Sequence, residues 1–173
     1  MKVSVIGAGS FGTAVSWLLA TQGHEVSLWA RDRRVVDGVN ESHVNPRYLS
    51  GTTLPQTLRA TDDIACALED AGGIVFASPS TVLREMGSRC ASYIGADVPV
   101  IALAKGVEAH TSLLMVDVLE ETIGNPRRIA ALSGPSHAEE VVLGYPTSVV
   151  VAAREPRTSA FFQGLFSAPA FRI

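Results

Sequence analysis

The sequence predicts an α/β fold of the doubly wound Rossmann type, a mostly parallel sheet with helices on both faces. Three observations carry this expectation. The chain opens with the apolar run Lys2-Val3-Ser4-Val5-Ile6, passes into Gly7-Ala8-Gly9-Ser10-Phe11-Gly12, and continues at once as a helical pattern to Thr21. Strand-like and helix-like segments then alternate along the rest of the 173 residues. Several strand-like segments are uninterrupted apolar runs, the pattern of strands covered on both faces.

The predicted strands are residues 3–6, 25–30, 74–77, 98–102, 129–132 and 148–151, and the predicted helices are 11–21, 33–40, 64–70, 82–93, 112–123, 136–143 and 157–166. Asp32 is a candidate cap for the second helix and Asp62-Asp63 for the third, where a carboxylate meets both the free N–H groups and the positive end of the dipole. Ser80 reads as the cap of the fourth helix. Ser133 or Ser136 does so for the sixth, with Glu139 at the capping-box spacing from Ser136. Residues 41–61, which include Asn45-Pro46-Arg47-Tyr48-Leu49 and Leu54-Pro55, form the one long irregular stretch. In a compact domain a loop of that length goes with function or flexibility. The last residues, Ala168-Pro169-Ala170-Phe171-Arg172-Ile173, read as the start of another strand, so residues 1–173 are expected to be one domain of a longer protein.

Composition excludes several classes. Hydrophobic residues make up 47% and charged residues 18%, which is incompatible with disorder. The formal charge is −3, and the nearest thing to a basic cluster, Arg31, Arg33 and Arg34, has Asp32 inside it; nucleic acid is not an expected partner. No apolar run approaches a membrane span. The apolar segment at the N-terminus is too short for a signal peptide, so a cytoplasmic protein is expected. Cys66 and Cys90 lack metal-site spacing and fall among apolar residues on helical patterns; both read as reduced core thiols, and no metal is expected.

Five stretches carry chemistry. In Gly7-Ala8-Gly9-Ser10-Phe11-Gly12, Gly7 permits the tight turn, Gly9 lets the backbone approach a pyrophosphate, and Gly12 lets the helix pack on the strand. At Trp29-Ala30-Arg31-Asp32, an acidic side chain would accept from a ribose 2′-OH and an arginine would pair with a 2′-phosphate; the reading leans to NADP with NAD tolerated. Phe76-Ala77-Ser78-Pro79-Ser80 ends a strand at the same sheet edge. Ala104-Lys105-Gly106 places a cation there, suited to an anionic or hydroxyl-bearing substrate or to the nicotinamide. Ser133-Gly134-Pro135-Ser136-His137-Ala138 offers a second helix start, structural or anion-binding, and His137 is read as structural.

Taken together, the glycine turn, Trp29-Ala30-Arg31, Asn45-Pro46-Arg47-Tyr48-Leu49, Ala104-Lys105-Gly106-Val107-Glu108 and Ser133-Gly134-Pro135-Ser136-His137-Ala138-Glu139-Glu140-Val141 resemble the bacterial NAD(P)-dependent sn-glycerol-3-phosphate dehydrogenases. The resemblance covers essentially the whole chain. It implies hydride transfer between NAD(P)(H) and dihydroxyacetone phosphate, giving sn-glycerol 3-phosphate for phospholipid synthesis. It further implies that Ser10, Phe11, Arg31, Lys105 and Ala138 contact the cofactor, and that Lys105, Gly134 and Ser136 contact the substrate. Ala104 departs from the serine that often precedes the lysine in the family. Members continue into a helical C-terminal domain that supplies the general-base lysine, so no catalytic residue and little turnover are expected from residues 1–173. A homodimer is carried as an open expectation. The alternatives are a reductase of a different small keto acid and a stand-alone NAD(P)-sensing module.

Overall fold

The computed structural model describes residues 1–173. Its strands are β1 (Lys2–Ile6), β2 (Glu25–Trp29), β3 (Leu58–Thr61), β4 (Gly73–Phe76), β5 (Val100–Ala102), β6 (Ile129–Ser133), β7 (Thr147–Ser148), β8 (Val150–Ala153) and β9 (Phe171–Arg172). The helices are α1 (Ser10–Thr21), α2 (Arg33–Ser42), α3 (Ile64–Leu68), α4 (Leu83–Cys90), α5 (Met115–Ile123), α6 (Ala138–Val142) and α7 (Pro156–Phe166). One sheet runs in the order β3-β2-β1-β4-β5-β6-β8. All its pairings are parallel except the last, where β8 runs antiparallel to β6. The chain winds outward from β1 to β3 and then returns to lay β4 on the other side of β1. That reversal opens a crevice at the carboxyl ends of β1 and β4. The doubly wound architecture is the one the sequence predicts.

Alternation along the strands feeds two cores. Val3 and Val5 of β1, Val75 of β4 and Ile101 of β5 pack with α1, α2, α6 and α7 on one face. Ile6, Ile74, Phe76, Val100 and Ala102 meet α3, α4 and α5 on the other. Each such aliphatic or aromatic side chain, fully buried, stabilises by roughly 1.5–3 kcal/mol, so the faces share the work of holding the sheet. The one polar residue inside β1, Ser4, is fully buried and donates its hydroxyl to the Ala67 carbonyl on α3.

Two glycines let α1 start against the end of β1. Gly7 sits at φ +119°, and a Cβ there would meet the Ala77 carbonyl carbon and the Ser78 nitrogen at 3.0 Å. A Cβ on Gly12 would lie 1.9 Å from the Gly7 carbonyl oxygen. The helix and the turn before it are therefore in backbone contact, with no room for a side chain between them.

The structure corrects several local expectations. Residues 41–61 are not wholly irregular: they contain the end of α2 and all of β3. β3 is an edge strand with only Leu58 and Ala60 turned inward, and the Asn40 side chain brackets it by accepting from the Ala60 N–H and donating to the Ala60 carbonyl. The predicted strand 148–151 breaks at Val149 into β7 and β8; β7 pairs in parallel with β9, the short terminal strand. Asp32 and Asp63 cap α2 and α3 as expected. Ser80 caps nothing, because it lies inside a 3₁₀ turn whose N-cap is Pro79. The capping box at Ser136 is absent too. α6 starts at Ala138 behind His137, since the Ser136 hydroxyl is turned back to the Gly134 carbonyl. The helix expected from residue 112 starts at Met115, because His110 and Ser112 adopt positive φ and Val107 bridges to Leu114. Cys66 is exposed rather than core, because α3 is short and turns Ile64, Ala67 and Leu68 inward. Cys90 is a core thiol, pushed up to about 12 by burial.

The backbone contact at Gly12 gives the fold its sharpest test. Gly12→Ala is expected to destabilise the chain by about 3 kcal/mol, the upper part of the overpacking range, because backbone must move to admit the methyl group. Urea unfolding reads this directly, and an unchanged midpoint would refute the contact.

Candidate functional site

A cleft of about 620 Å³ lies at the carboxyl ends of the central strands. Its floor is Gly7–Phe11 after β1, its walls include Trp29–Asp32 after β2 and Ala77–Ser80 after β4, and Leu103–Lys105 after β5 closes one end. Strand-end hydrogen bonds fix these segments against one another. The Gly7 N–H donates to the Trp29 carbonyl at 3.1 Å, the Ala77 N–H to Ile6 at 3.0 Å, and the Leu103 N–H to Phe76 at 2.9 Å. The buried Ser78 hydroxyl donates to the Ile6 carbonyl at 3.0 Å.

α1 differs from every other helix at its start. Its N-cap is Gly9, no side chain caps it, and its first turn holds no acidic residue. Each of the other helices has a carboxylate at or just inside its start: Asp32, Asp63, Glu85, Asp117, the pair Glu139 and Glu140, and Glu155. The positive end of the α1 dipole and its free N–H groups thus face the cleft without an internal anion. Gly9 sharpens the point. Its φ of −71° suits any residue, and a Cβ there would meet nothing within 4 Å. The fold does not require this glycine, and its absent side chain leaves the backbone open to close approach.

Two cations flank that anion-receptive turn. Arg31, exposed at the end of β2, lines the cleft and makes no ion pair. Beside it Asp32 accepts from the Arg34 N–H, from the Arg34 guanidinium and from Arg47, and these donors, Arg34 foremost, hold its carboxyl well below the usual carboxylate range. Lys105 also lines the cleft, and its Nζ donates to the Gly134 carbonyl at 2.6 Å. The Ser136 hydroxyl reaches the same carbonyl at 3.4 Å, so Lys105, Gly134 and Ser136 meet in space. Gly134 needs its φ of +140°, and a Cβ there would crowd the Val149 Cα at 2.9 Å.

The structure places the other expected residues differently. Ser10 and Phe11 line the cleft with Gly7 and Gly9, whereas Gly12 serves packing beneath it. Gly134 and Ser136 stand at its rim through Lys105 and do not line it. Ala138 is buried in the core and does not line it either. His137 is exposed at the start of α6, also away from the cleft. No cluster of side chains suited to a metal ion is present.

Two residues within the stretches that carry the resemblance, Asn45 and Glu108, anchor the site through contacts that their motifs do not show. Asn45 is fully buried; its Nδ2 donates to the Ala8 carbonyl and the Thr13 hydroxyl, and its Oδ1 accepts from the Arg47 and Tyr48 N–H groups. It ties the loop after α2 to the glycine turn and brings Arg47 and Tyr48 to the cleft. Asn45-Pro46 is an Asx-turn signal that could have found it. Glu108 accepts from two nitrogens of Arg84 at 2.8 and 2.9 Å and from Thr111 at 2.6 Å; the Arg84 guanidinium, foremost, holds its carboxyl down at about 2. That bidentate pair pins the segment carrying Lys105 onto α4. No local pattern announces a partner twenty-four residues away.

Comparison with known proteins accords with this geometry. Residues 2–159 match the sequence model of the NAD-dependent glycerol-3-phosphate dehydrogenase N-terminus. The chain is 42% identical over 172 residues to a glycerol-3-phosphate dehydrogenase (NAD(P)+) of Clostridium botulinum, covering 99% of this chain and 52% of that protein. It is 41% identical to the enzyme of that name from Anaeromyxobacter, with the same coverages. Among solved structures, glycerol-3-phosphate dehydrogenase from Coxiella burnetii superposes with a TM-score of 0.92 at 33% identity, over 99% of this chain and 52% of that one. The chain therefore spans about half the length of the relatives it matches.

Two outcomes follow from the cleft. Gly9→Ala should leave the unfolding free energy within about 0.5 kcal/mol of wild type while abolishing anion binding at the turn. Parallel denaturation and titration with pyrophosphate-bearing nucleotides check this, and a stability loss comparable to that of Gly12→Ala would contradict it. The Glu108 carboxyl, ordinarily near 4.5, should titrate at about 2. Because the folded value is depressed, its stabilisation is complete above pH 4.5 and is lost as pH falls through about 2. A carboxyl resonance of Glu108 titrating near 4.5 in NMR would overturn the pairing with Arg84.

Proposed function

This chain belongs to the NAD-dependent glycerol-3-phosphate dehydrogenase family, whose N-terminal domain it carries, and we propose from that premise that it is the NAD(P)(H)-binding half of such an enzyme. The observation that carries the cofactor assignment is the start of α1, the one helix without a carboxylate of its own, set beneath an open Gly9. A diphosphate bridging the turn supplies the missing anion. The bound nicotinamide would supply the hydride that reduces dihydroxyacetone phosphate.

What these residues do is bind and orient. The Ser10 and Phe11 segment receives the diphosphate, and Arg31 lies where the adenosine ribose ends at β2. Lys105 stands across the cleft from Arg31. Its ammonium rests on the Gly134 carbonyl, from which it can reach both the nicotinamide side and a substrate oxygen. Gly134 and Ser136, gathered round that contact, form the substrate rim. Reduction of a ketone needs a proton delivered to the carbonyl oxygen as hydride arrives. We assign that proton to a lysine in the half that the longer relatives possess beyond this chain, so residues 1–173 hold the cofactor and do not complete turnover. No helix here is long and apolar enough to cross a membrane. A cytoplasmic setting, a homodimeric enzyme and a role in phospholipid synthesis complete the reading.

Titration with NADH and with NADPH, followed by nucleotide fluorescence, is expected to give saturable binding. The same preparation given dihydroxyacetone phosphate and NADPH should show no absorbance change above the blank. A rate comparable to that of a full-length relative would overturn the division of labour, and absence of binding to either nucleotide would overturn the cofactor assignment.

A further inference from the structure

The end of β2 carries a carboxylate that sequence logic would give to a ribose hydroxyl, yet its oxygens are already taken. Oδ1 of Asp32 accepts from the Arg34 N–H at 3.0 Å and the Arg34 Nε at 3.2 Å. Oδ2 accepts from the Arg34 Nη2 at 2.9 Å and the Arg47 Nη1 at 3.0 Å. A carboxylate has about four lone-pair sites, and four donors fill them. With Arg31 beside it, the group comprises three guanidiniums and one carboxylate, and Arg31, Asp32 and Arg47 all line the cleft.

Arg47 reaches this position from another part of the chain. Fully buried Asn45 accepts from its backbone N–H and at the same time holds the Ala8 carbonyl of the glycine turn. The loop is thereby registered to the glycine turn, and Arg47 is held on Asp32 at the end of β2. Its side chain remains 52% exposed, with the guanidinium 5.8 Å from the centre of the Tyr48 ring. An ion pair so exposed is screened by solvent, contributes little, and is readily exchanged for a stronger anion. A phosphomonoester is such an anion, since it accepts a guanidinium in bidentate fashion.

Resting on the cofactor reading above, we propose that Arg47 is a specificity-determining residue that, with Arg31, grips a phosphomonoester on the adenosine ribose. Asp32 is its resting counter-ion. When Arg47 moves to the phosphate, Arg34 stays on Asp32, so the carboxylate keeps a counter-ion; while Arg47 rests on it, its oxygens are filled and do not accept from a 2′-hydroxyl. The site therefore favours the 2′-phosphorylated dinucleotide.

The test is calorimetric titration of the 173-residue chain with NADPH, NADH and adenosine 2′,5′-bisphosphate, comparing wild type with Arg47→Ala and Arg47→Lys. Loss of a charge-assisted contact predicts that the ratio of NADPH to NADH affinity falls about tenfold in Arg47→Ala, with partial recovery in Arg47→Lys. Affinity for adenosine 2′,5′-bisphosphate should fall in step with that for NADPH. An unchanged ratio, with both dinucleotides still bound by wild type, overturns the role of Arg47 and leaves the cleft assignment standing. Equal losses for NADPH and NADH also overturn it, because they would mean that Arg47 acts only through the loop. Failure of wild type to bind any of the three ligands overturns the cofactor reading itself.

Discussion

The site depends on one contact, the backbone of Gly12 against the carbonyl of Gly7. With a hypothetical Cβ only 1.9 Å from that oxygen, helix and turn are as close as polypeptide permits. This proximity makes α1 begin at the carboxyl edge of the sheet instead of a turn further away. The helix dipole then ends inside the crevice between β1 and β4, where the winding of the sheet reverses. Such a dipole is worth only about 0.3–1 kcal/mol to an exposed charge, or about 2 when partly buried. Its value lies in where it points, and the glycine contact sets that direction.

A turn alone would give an anion site without selectivity. Two further anchors bring the remaining groups to bear, and their energetics differ. Asn45 is buried; two of its four hydrogen bonds tie the loop after α2 to Ala8 and Thr13 and two hold the loop's own Arg47 and Tyr48 N–H groups, and leaving one such group unpaired costs about 1–3 kcal/mol. The loop's own exposed ion pair, Arg47 with Asp32, is screened by solvent and holds it only weakly. The position of the loop is therefore governed by the buried amide, and the surface pair follows it. Glu108 plays a related part for Lys105 through its two-point contact with Arg84, where geometry compensates for partial exposure.

What was legible in the sequence was what short-range physics dictates. The strand, glycine turn and helix at residues 2–21 can be read because backbone sterics and hydrophobic period act within a few residues. Asp32 and Asp63 are visible as caps for the same reason. β3 was hidden because an edge strand with two inward residues lacks the apolar run of its central neighbours, and its bracket comes from Asn40 on the preceding helix. Ser136 misled because a capping box requires the helix to begin beside it, and the turn at Gly134 delays that start to Ala138. Arg31 and Lys105 could be found from the ends of their strands. Arg47 could not, since its place is fixed by a buried amide whose partners lie at Ala8 and Thr13.

The distribution of carboxylates over the helix starts ties these strands of argument together. An uncapped N-terminus is not in itself a ligand site: α4, α5, α6 and α7 also lack a side-chain cap. The first three have acidic residues in the first turn and α7 has Glu155 at its N-cap position, and these answer the dipole from within the chain. Near β2 the same supply of internal charge goes further, for Asp32 both caps α2 and balances two arginines. Only at α1 is the balance left open, and there Gly9 leaves the space clear as well. A sequence under no demand but stability would place Asp or Ser at that N-cap, gaining roughly a few tenths of a kcal/mol. Glycine at that position gives up this gain and leaves the N–H groups at the start of α1 open to an anion from outside the chain.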